Sequence, residues 1–232
     1  MSTVAIIPAR GGSKRIPKKN IKSFLGKPIL AYAIETALNS NLFDEVMVST
    51  DDKEIAEVAL QFGAKVPFLR SSKNADDFAT TIDVITEVIG SYEKLGKQFE
   101  FACCIYPCTP LLTTQKLQQS FEALKESDLD CIFPIIRYGF PIQRAVRLTN
   151  ENLVEMFQPE HLTTRSQDLE ASYHDAGQFY SFRVKNLVGK QKLLTDRTGY
   201  IELSEMEAQD IDNLIDWKLA EIKYEIMHNF DS

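Results

Sequence analysis

Short apolar runs rich in β-branched residues alternate along the chain with amphipathic segments, and this alternation restricts the fold more than any other feature. The runs that predict strands are residues 4–9, 45–50, 65–69, 99–106 and 130–136. The segments that predict helices are about 28–38, 52–63, 80–95, 114–125 and 213–227. Strands separated by helices pair in parallel and need cover on both faces. The 232 residues therefore predict one α/β domain, with a mostly parallel sheet flanked by helices.

The pattern is less regular from about Pro134 to Val184. We interpret residues 134–170, approximately, as a small insertion into the main domain, either rich in β-structure or used for dimerisation.

The charge of the chain is unevenly distributed. There are 26 basic and 33 acidic residues, which gives a formal net charge of −7. A chain this acidic is a poor candidate for a general nucleic-acid binder. The segment before Glu35 has no acidic residue, and its cations are Arg10, Lys14, Arg15, Lys18, Lys19, Lys22 and Lys27. A cationic segment on an acidic protein indicates a local anion site.

The cysteines and the N-terminus favour a cytoplasmic protein with no membrane partner. Cys103, Cys104 and Cys131 lie in apolar runs, and the cysteine spacing fits neither a disulfide framework nor a zinc site. We therefore expect reduced thiols. The N-terminal run lacks a basic region and is too short for a signal peptide, and no stretch approaches the ~20 apolar residues of a membrane span.

A glycine-containing basic loop follows the first predicted strand. It reads Ala9-Arg10-Gly11-Gly12-Ser13-Lys14 and is followed by Lys19 and Asn20. Ligands of open parallel sheets bind beyond the carboxyl ends of the strands, which is where this loop begins. The glycines let backbone N–H groups approach a ligand, and the cations can neutralise a triphosphate. The loop matches neither the Walker A nor the GxGxxG pattern, and a solvated basic loop is the plain alternative.

Asp210 and Asp212 are separated by one residue near the end of the chain. In extended backbone their side chains face the same way, with Cα atoms roughly 6–7 Å apart. This spacing suits one Mg²⁺ held by carboxylates, waters and phosphates. A charged turn that caps the last helix is the alternative that the residues alone leave open.

Several motifs, in order, resemble those of the CMP-sialic acid synthetase (acylneuraminate cytidylyltransferase) family. They are residues 6–14 with 19–20, 48–52, 68–70, 75–77 with 80–81, 107–111 and 210–212. The resemblance covers nearly the whole chain. It implies a Rossmann-like nucleotidyltransferase fold, a homodimer formed through the insertion, and Mg²⁺-dependent transfer of CMP from CTP to a nine-carbon sugar acid.

The resemblance also assigns residues to the nucleotide and the metal. Those implied to bind CTP are Ala9, Arg10, Gly11, Gly12, Ser13, Lys14, Lys19, Asn20, Arg70 and Thr80. Asp210 and Asp212 would hold the metal, and Arg10, Lys19 and Asp212 would act in catalysis. The sugar's anomeric hydroxyl would attack the α-phosphorus directly, so the protein must mainly position reactants and neutralise charge.

Residues 141–145, 164–168, 173–180 and 209–217 most resemble the branch of this family that acts on pseudaminic acid. The residues implied to contact the sugar are Tyr106, Gln143, Arg165, Asp175, Gln178 and Phe179. A buried guanidinium suits the sugar carboxylate, and Arg165 is the first choice because its spacing to Asp175 matches that of the corresponding arginine of the family. Pseudaminic acid would imply a bacterial product for flagellin or surface polysaccharide.

Three alternatives stay open at this stage. In the first alternative, the enzyme carries out the same reaction with legionaminic acid, N-acetylneuraminate or Kdo as the acceptor. The second is a non-catalytic nucleotide-sugar binding protein, which loss of the loop cations or of the acidic pair would indicate, although both are present. The third is a nucleic-acid protein, which the overall charge and the lack of aromatics among the cations disfavour.

Overall fold

The structure is a computed structural model that describes residues 2–76 and 78–229, so Asp77 of the 75–77 motif lies outside the described residues. Its helices are α1 (Ile29–Asn39), α2 (Lys53–Gln61), α3 (Thr81–Lys94), α4 (Thr114–Lys125), α5 (Val184–Lys190) and α6 (Leu214–Asn229). Its strands are β1 (Thr3–Pro8), β2 (Ser23–Phe24), β3 (Lys27–Pro28), β4 (Glu45–Ser49), β5 (Phe101–Ile105), β6 (Cys131–Arg137), β7 (Val146–Leu148), β8 (Val154–Met156), β9 (Tyr173–Asp175), β10 (Phe179–Arg183) and β11 (Thr198–Leu203). Over this part of the chain, no helix has the length and apolarity needed to cross a membrane.

The main sheet has the strand order β11-β6-β10-β5-β1-β4, with β9 paired to β6. β1 pairs in parallel with β4 and β5, and β6 pairs in parallel with β11. β10 lies antiparallel between β5 and β6. The expected α/β fold is confirmed as a mixed sheet with a mostly parallel core.

The central strand β1 is buried on both faces because its side chains alternate between two apolar cores. Ala5 and Ile7 join a cluster that includes side chains of α1 and α4. Val4 and Ile6 join a second cluster that includes side chains of α3 and α5. Helices therefore cover both faces of the sheet, and ligands can reach its strands only at their ends.

Local sequence signals start and stop the flanking helices. Asp52 accepts hydrogen bonds from the N–H groups of Glu54 and Ile55 and so caps α2, as predicted. Gly63 follows that helix with φ +90°, a conformation that favours glycine. At α3, Thr80 and Asp83 form a reciprocal capping box.

Residues 65–69 do not form the predicted strand, and that prediction was wrong. Lys65 makes a single bridge beside Met47, and its N–H donates to the carbonyl of Val46 at 2.8 Å. Pro67 has no N–H group to donate, so a regular ladder cannot continue past it.

The last helix, α6, is confirmed, but the apolar stripe that predicted it does not face the core. Ile215 is 74% exposed and Leu219 is 44% exposed. The buried side of the helix carries Trp217 and Ala220, and the Trp217 ring packs 5.6 Å from that of Phe24. The spacing identified the helix, whereas one tryptophan anchors it.

Between β6 and β9 the chain leaves the main sheet. This excursion contains the β7–β8 hairpin, which pairs with no strand of the main sheet. Its exposed large hydrophobic side chains are Tyr138, Phe140, Ile142, Val146, Leu148, Leu153, Val154, Phe157 and Leu162. An isolated hairpin is only marginally stable in water, so this hairpin depends on contacts beyond its own two strands.

Glu45 is a buried charge at the amino end of β4, with only 5% of its side chain exposed. Its carboxylate accepts hydrogen bonds from the Tyr92 hydroxyl at 2.5 Å and from the ammonium groups of Lys97 at 2.5 Å and Lys65 at 3.2 Å. Burial alone would raise the pKa of Glu45, but these hydrogen bonds together lower it below the usual value. The carboxylate therefore ties β4 to the end of α3.

We predict that Glu45→Gln lowers the free energy of unfolding at pH 7 by about 1–3 kcal/mol, because charge-assisted hydrogen bonds are lost. Since the folded-state pKa of Glu45 is lowered, its contribution is present above the unfolded value of about 4.3 and is lost as pH falls through the folded value. Urea unfolding at pH 7 and pH 3 should show a difference from wild type that shrinks in acid. Glu57→Ala, at an exposed position of α2, should stay within about 0.5 kcal/mol. An equal loss in both variants would contradict this prediction.

Candidate functional site

Three segments meet at the carboxyl edge of the sheet and enclose a cavity of about 460 Å³, here called the cationic cleft. They are the loop after β1, residues 106–108 after β5, and residues 209–212 before α6. β1 and β5 are parallel neighbours, so the loops that follow them lie side by side, as the topology predicts. Among the predicted site residues, the cleft is lined by Arg10, Ser13, Lys14, Lys19, Asn20, Tyr106, Asp210 and Asp212.

Asn20 fixes the shape of the loop. Its amide donates to the carbonyl of Arg10 at 2.9 Å, and its oxygen accepts from the thiol of Cys108 at 3.3 Å. The guanidinium of Arg10 donates to the carbonyl of Asp76 at 2.9 Å. The loop is therefore held in place by contacts from both sides.

Gly11 sits where a side chain would collide with a helix cap. A Cβ at this position would lie 2.8 Å from Oδ2 and 3.0 Å from Cβ of Asp52. Asp52 is held by its hydrogen bonds to the first turn of α2, so it cannot yield freely. At Gly12, by contrast, an added Cβ would meet nothing within 4 Å. Packing requires glycine only at the first of the two positions.

Besides Gly11 and Gly12, three residues implied to bind CTP lie away from the cleft wall. Ala9 is fully buried in the core. Arg70 is also buried, and its guanidinium donates to the hydroxyl of Ser49 at 3.1 Å and to the Ser49 carbonyl at 2.5 Å; burial lowers its pKa. Thr80 caps α3. Their contact with CTP stays a prediction, and each already has a structural role.

The acidic pair faces the cleft, as its spacing predicts. Asp210 and Asp212 both line the cavity, while Ile211 between them is buried. The ammonium of Lys19 donates to the carbonyl of Ile211. No group of three His, Cys, Asp or Glu among residues 2–76 and 78–229 could hold a metal. Two carboxylates beside a group of cations that could hold phosphates nevertheless fit Mg²⁺, which usually keeps waters and phosphate oxygens as its other ligands.

Distant acidic residues pair with several cations of the first segment. Arg15 lies 2.6 Å from the carboxylate of Asp212, and Lys18 lies 2.5 Å from that of Glu54. The absence of nearby acids in the sequence therefore does not mean that these cations lack acidic partners in the fold. The Arg15–Asp212 pair also brings opposite charges together inside the cleft.

A second cavity of about 440 Å³, here called the adjoining cavity, shares Gly177, Gln209 and Asp210 with the cationic cleft. Asp175 lines it together with His174 and Lys223. The Asp175 carboxylate accepts from the Tyr180 hydroxyl and from the N–H of Gly177 at 2.8 Å. The Tyr180 ring lies 5.9 Å from that of Tyr106, so a polar–aromatic row connects the two cavities.

The other residues implied to contact the sugar lie elsewhere. Gln178 is buried and donates to the carbonyl of Glu207 at 2.6 Å, and Phe179 is fully buried in the core. Gln143 donates to the carbonyl of Glu170 within the excursion. The Arg165 side chain is 71% exposed and pairs with Asp168 at 2.7 Å, so it is not the buried guanidinium that was expected. The sugar contacts of all four stay predictions.

Sequence reasoning did not assign a role to Cys108 or Lys223, which line the two cavities. Cys108 belongs to residues 107–111, one of the motifs that resemble the family, so this motif could have indicated its place in the site. Lys223 lies on α6 outside every motif, and only the fold brings it to the adjoining cavity.

Comparison with known proteins gives a consistent result. The sequence model of a family described as "Cytidylyltransferase" matches residues 4–225. A pseudaminic acid cytidylyltransferase of Campylobacter jejuni is 42% identical over 98% of each chain, and a CMP-N,N'-diacetyllegionaminic acid synthase of Legionella pneumophila is 31% identical over 95% of each chain. Among solved structures, a CMP:2-keto-3-deoxy-manno-octonic acid synthetase complexed with CTP superposes with a TM-score of 0.72 at 16% identity, covering 99% of this chain and 100% of its own. That last likeness concerns the fold.

We predict that Gly11→Ala weakens binding of CTP, the nucleotide that the sequence resemblance implies, by roughly tenfold, or about 1.4 kcal/mol. The added methyl group must displace either the loop or the cap of α2. Calorimetric titration measures the affinity, and Gly12→Ala is the matched control, with an expected change below about twofold. Equal affinities of the two variants would show that the contact with Asp52 does not shape the loop.

Proposed function

Because the chain belongs to the cytidylyltransferase family, we propose that it transfers CMP from CTP to the anomeric hydroxyl of pseudaminic acid and releases pyrophosphate. The observation that carries this proposal is the wall shared by the two cavities. Loop cations line one cavity, and Asp210 lines both. A sugar acid in the adjoining cavity would therefore meet the α-phosphate of CTP beside the acidic pair.

In the proposed reaction, the anomeric oxygen forms a bond to the α-phosphorus, and the bond from that phosphorus to the α,β-bridging oxygen breaks. Pyrophosphate leaves with the bonding electrons, and the hydroxyl proton passes to a base, for which Asp212 is our candidate. Arg10, Lys14 and Lys19 offset the charge of the phosphates. Burial raises the pKa of Cys108 to about 12, so its thiol stays protonated at neutral pH and is unsuited to act as a nucleophile.

We also propose that Asp210 and Asp212 hold Mg²⁺. Their carboxylates reach the cleft from one extended segment, next to the cations of the loop after β1. When bound, the ion would neutralise phosphate charge and polarise the α-phosphate. Asp212 already contacts Arg15, so Arg15 must share this carboxylate or release it when the substrates bind.

The choice of pseudaminic acid rests on the Campylobacter jejuni relative, together with the residues of the 141–145, 164–168 and 173–180 segments. Legionaminic acid, N-acetylneuraminate and Kdo are the alternative acceptors. We propose a cytoplasmic location, since Cys103, Cys104 and Cys131 are free and buried as expected for a reducing compartment. A product used to modify flagellin or surface polysaccharide follows from the same sugar assignment.

A homodimer formed through the excursion between β6 and β9 is also proposed. Leu148 and Val154 of the β7–β8 hairpin are 76% and 68% exposed, and they lie opposite each other in its register. A second copy would cover such residues and supply the packing that a lone hairpin lacks.

Measurement of pyrophosphate release from CTP and Mg²⁺, with each of the four acids in turn, tests the reaction and the sugar. We expect turnover with pseudaminic acid at least tenfold faster than with the others. A preference for another acid would overturn the sugar assignment and keep the reaction. No release with any acid, from folded protein that binds CTP, would overturn the reaction.

Asp212→Asn provides the control for the site in the same assay. It should lower turnover by roughly 100-fold or more while the thermal unfolding midpoint stays close to that of wild type. Asp128→Asn is the matched variant, since Asp128 is 92% exposed and pairs with Arg197 away from both cavities. Near-normal turnover of Asp212→Asn would remove this residue from the mechanism.

For the dimer, we predict that Leu148→Lys converts the protein to a monomer, because a charge would be buried in the interface. Light scattering at a fixed concentration measures the mass. Leu60→Lys, at a 58% exposed position on α2, should leave the mass unchanged. A wild-type monomer, or a Leu148→Lys dimer, would show that this hairpin is not the interface.

A further inference from the structure

Lys223 is a partly buried cation on the wall of the adjoining cavity. Its ammonium donates to the carbonyl of Glu205 at 2.7 Å and to that of Ala208 at 2.8 Å. An ammonium has three N–H donors, so one remains after these two bonds. Both carbonyls belong to the turn that leads into Asp210.

The position of Lys223 along the chain places it near the reacting groups. An extended chain advances about 3.3 Å per residue, so Ala208 is roughly 7 Å from Asp210. Asp210 lines both cavities, and Lys223 lines the same cavity wall. The cation therefore lies on the same cavity wall as Asp210, within roughly 10 Å of the place where an acceptor in the adjoining cavity would meet the nucleotide.

The chemistry of the acceptor favours a cation at such a place. In a 2-keto sugar acid, the carboxylate is attached to the same carbon as the attacking hydroxyl. A carboxylate brought next to a triphosphate and an acidic pair experiences repulsion, and a nearby ammonium offsets it. Arg165 was expected to serve here, but in this structure it is exposed and paired with Asp168.

We infer that Lys223 binds the carboxylate of the sugar acid in the adjoining cavity and thereby selects acids over neutral sugars. This inference rests on the proposed cytidylyltransferase function. The same ammonium positions the turn before the acidic pair through its two carbonyl contacts.

The electrostatics of the site agree with this assignment. Burial lowers the pKa of Lys223, although the charge of Glu205 opposes this effect. Its two hydrogen-bond acceptors are neutral carbonyls, so the ammonium has less anionic compensation than a salt-bridged lysine. A bound carboxylate would provide the negative charge that the two carbonyls lack.

Steady-state pyrophosphate release tests the inference with the acid that the wild-type enzyme uses and with its neutral carboxamide. Lys223→Gln removes the charge and retains amide donors for the turn. We expect this variant to raise KM for the acid at least tenfold, to change KM for CTP less than twofold, and to narrow the acid-over-carboxamide preference by at least tenfold. Lys223→Arg should keep most of that preference, because it keeps the cation. Lys218→Gln, at an exposed lysine paired with Glu221 on the same helix, should behave as wild type.

A purely structural role would give another pattern. KM for CTP and turnover would then change together, and the preference for the acid over the carboxamide would stay at the wild-type value, which would overturn the inference.

If Lys223→Gln does not fold, a measurement on the wild-type enzyme tests the inference instead. Acetylation of Lys223, followed by mass spectrometry, should be slowed by the acid in the presence of a non-hydrolysable CTP analogue and not by the carboxamide. Equal protection by both would overturn the inference, whereas failure of the proposed function would instead appear as no pyrophosphate release by the wild-type enzyme with any acid.

Discussion

The hydrogen bond from Lys19 to the carbonyl of Ile211 joins parts of the chain that are 192 positions apart. One partner belongs to the loop after the first strand, and the other lies between the two aspartates before the last helix. Neither segment forms a cleft alone, because one supplies only cations and the other mainly carboxylates. The sheet brings them together, since β1 and β5 end side by side and Trp217 anchors α6 beside the first loop. The placement of the candidate site thus depends on long-range packing of α6 as much as on the loop itself.

Opposite charges in the cleft also shape its chemistry before any ligand arrives. Arg15 and Asp212 form an ion pair that is partly open to solvent, and such pairs contribute little to stability because water competes for both partners. A pair of this kind can be exchanged at low cost. In the proposed reaction, a triphosphate would take the guanidinium and a divalent ion would take the carboxylate, so that substrate binding would replace one set of charge contacts with another and leave little charge unbalanced.

Features governed by local interactions were predictable from the sequence, whereas those governed by packing were not. The cap at Asp52, the two-sided burial of β1 and the position of the glycine loop follow from residue type and spacing. The strand expected at residues 65–69 failed because Pro67 interrupts its hydrogen bonds. The apolar spacing of α6 revealed a helix but not its orientation, which depends on Trp217 meeting Phe24. Within the candidate site, the motifs located the lining of the cationic cleft, while the burial of Gln178 and Phe179 and the position of Lys223 depend on how distant segments stack.

β10 runs against its neighbours β5 and β6, and this reversal affects how the two cavities can change over evolution. The parallel strands β1 and β5 lead into the cationic cleft with their carboxyl ends. The antiparallel β10 instead has its amino end at this edge of the sheet, and Gly177 and Asp175, which line the adjoining cavity, come just before it. Substitutions or insertions in that approach can reshape the adjoining cavity while the loop after β1 keeps its geometry. Under the proposed function, acceptor preference could therefore diverge among related chains without loss of the nucleotide donor, since most of the wall of the adjoining cavity comes from stretches of backbone that do not line the cationic cleft.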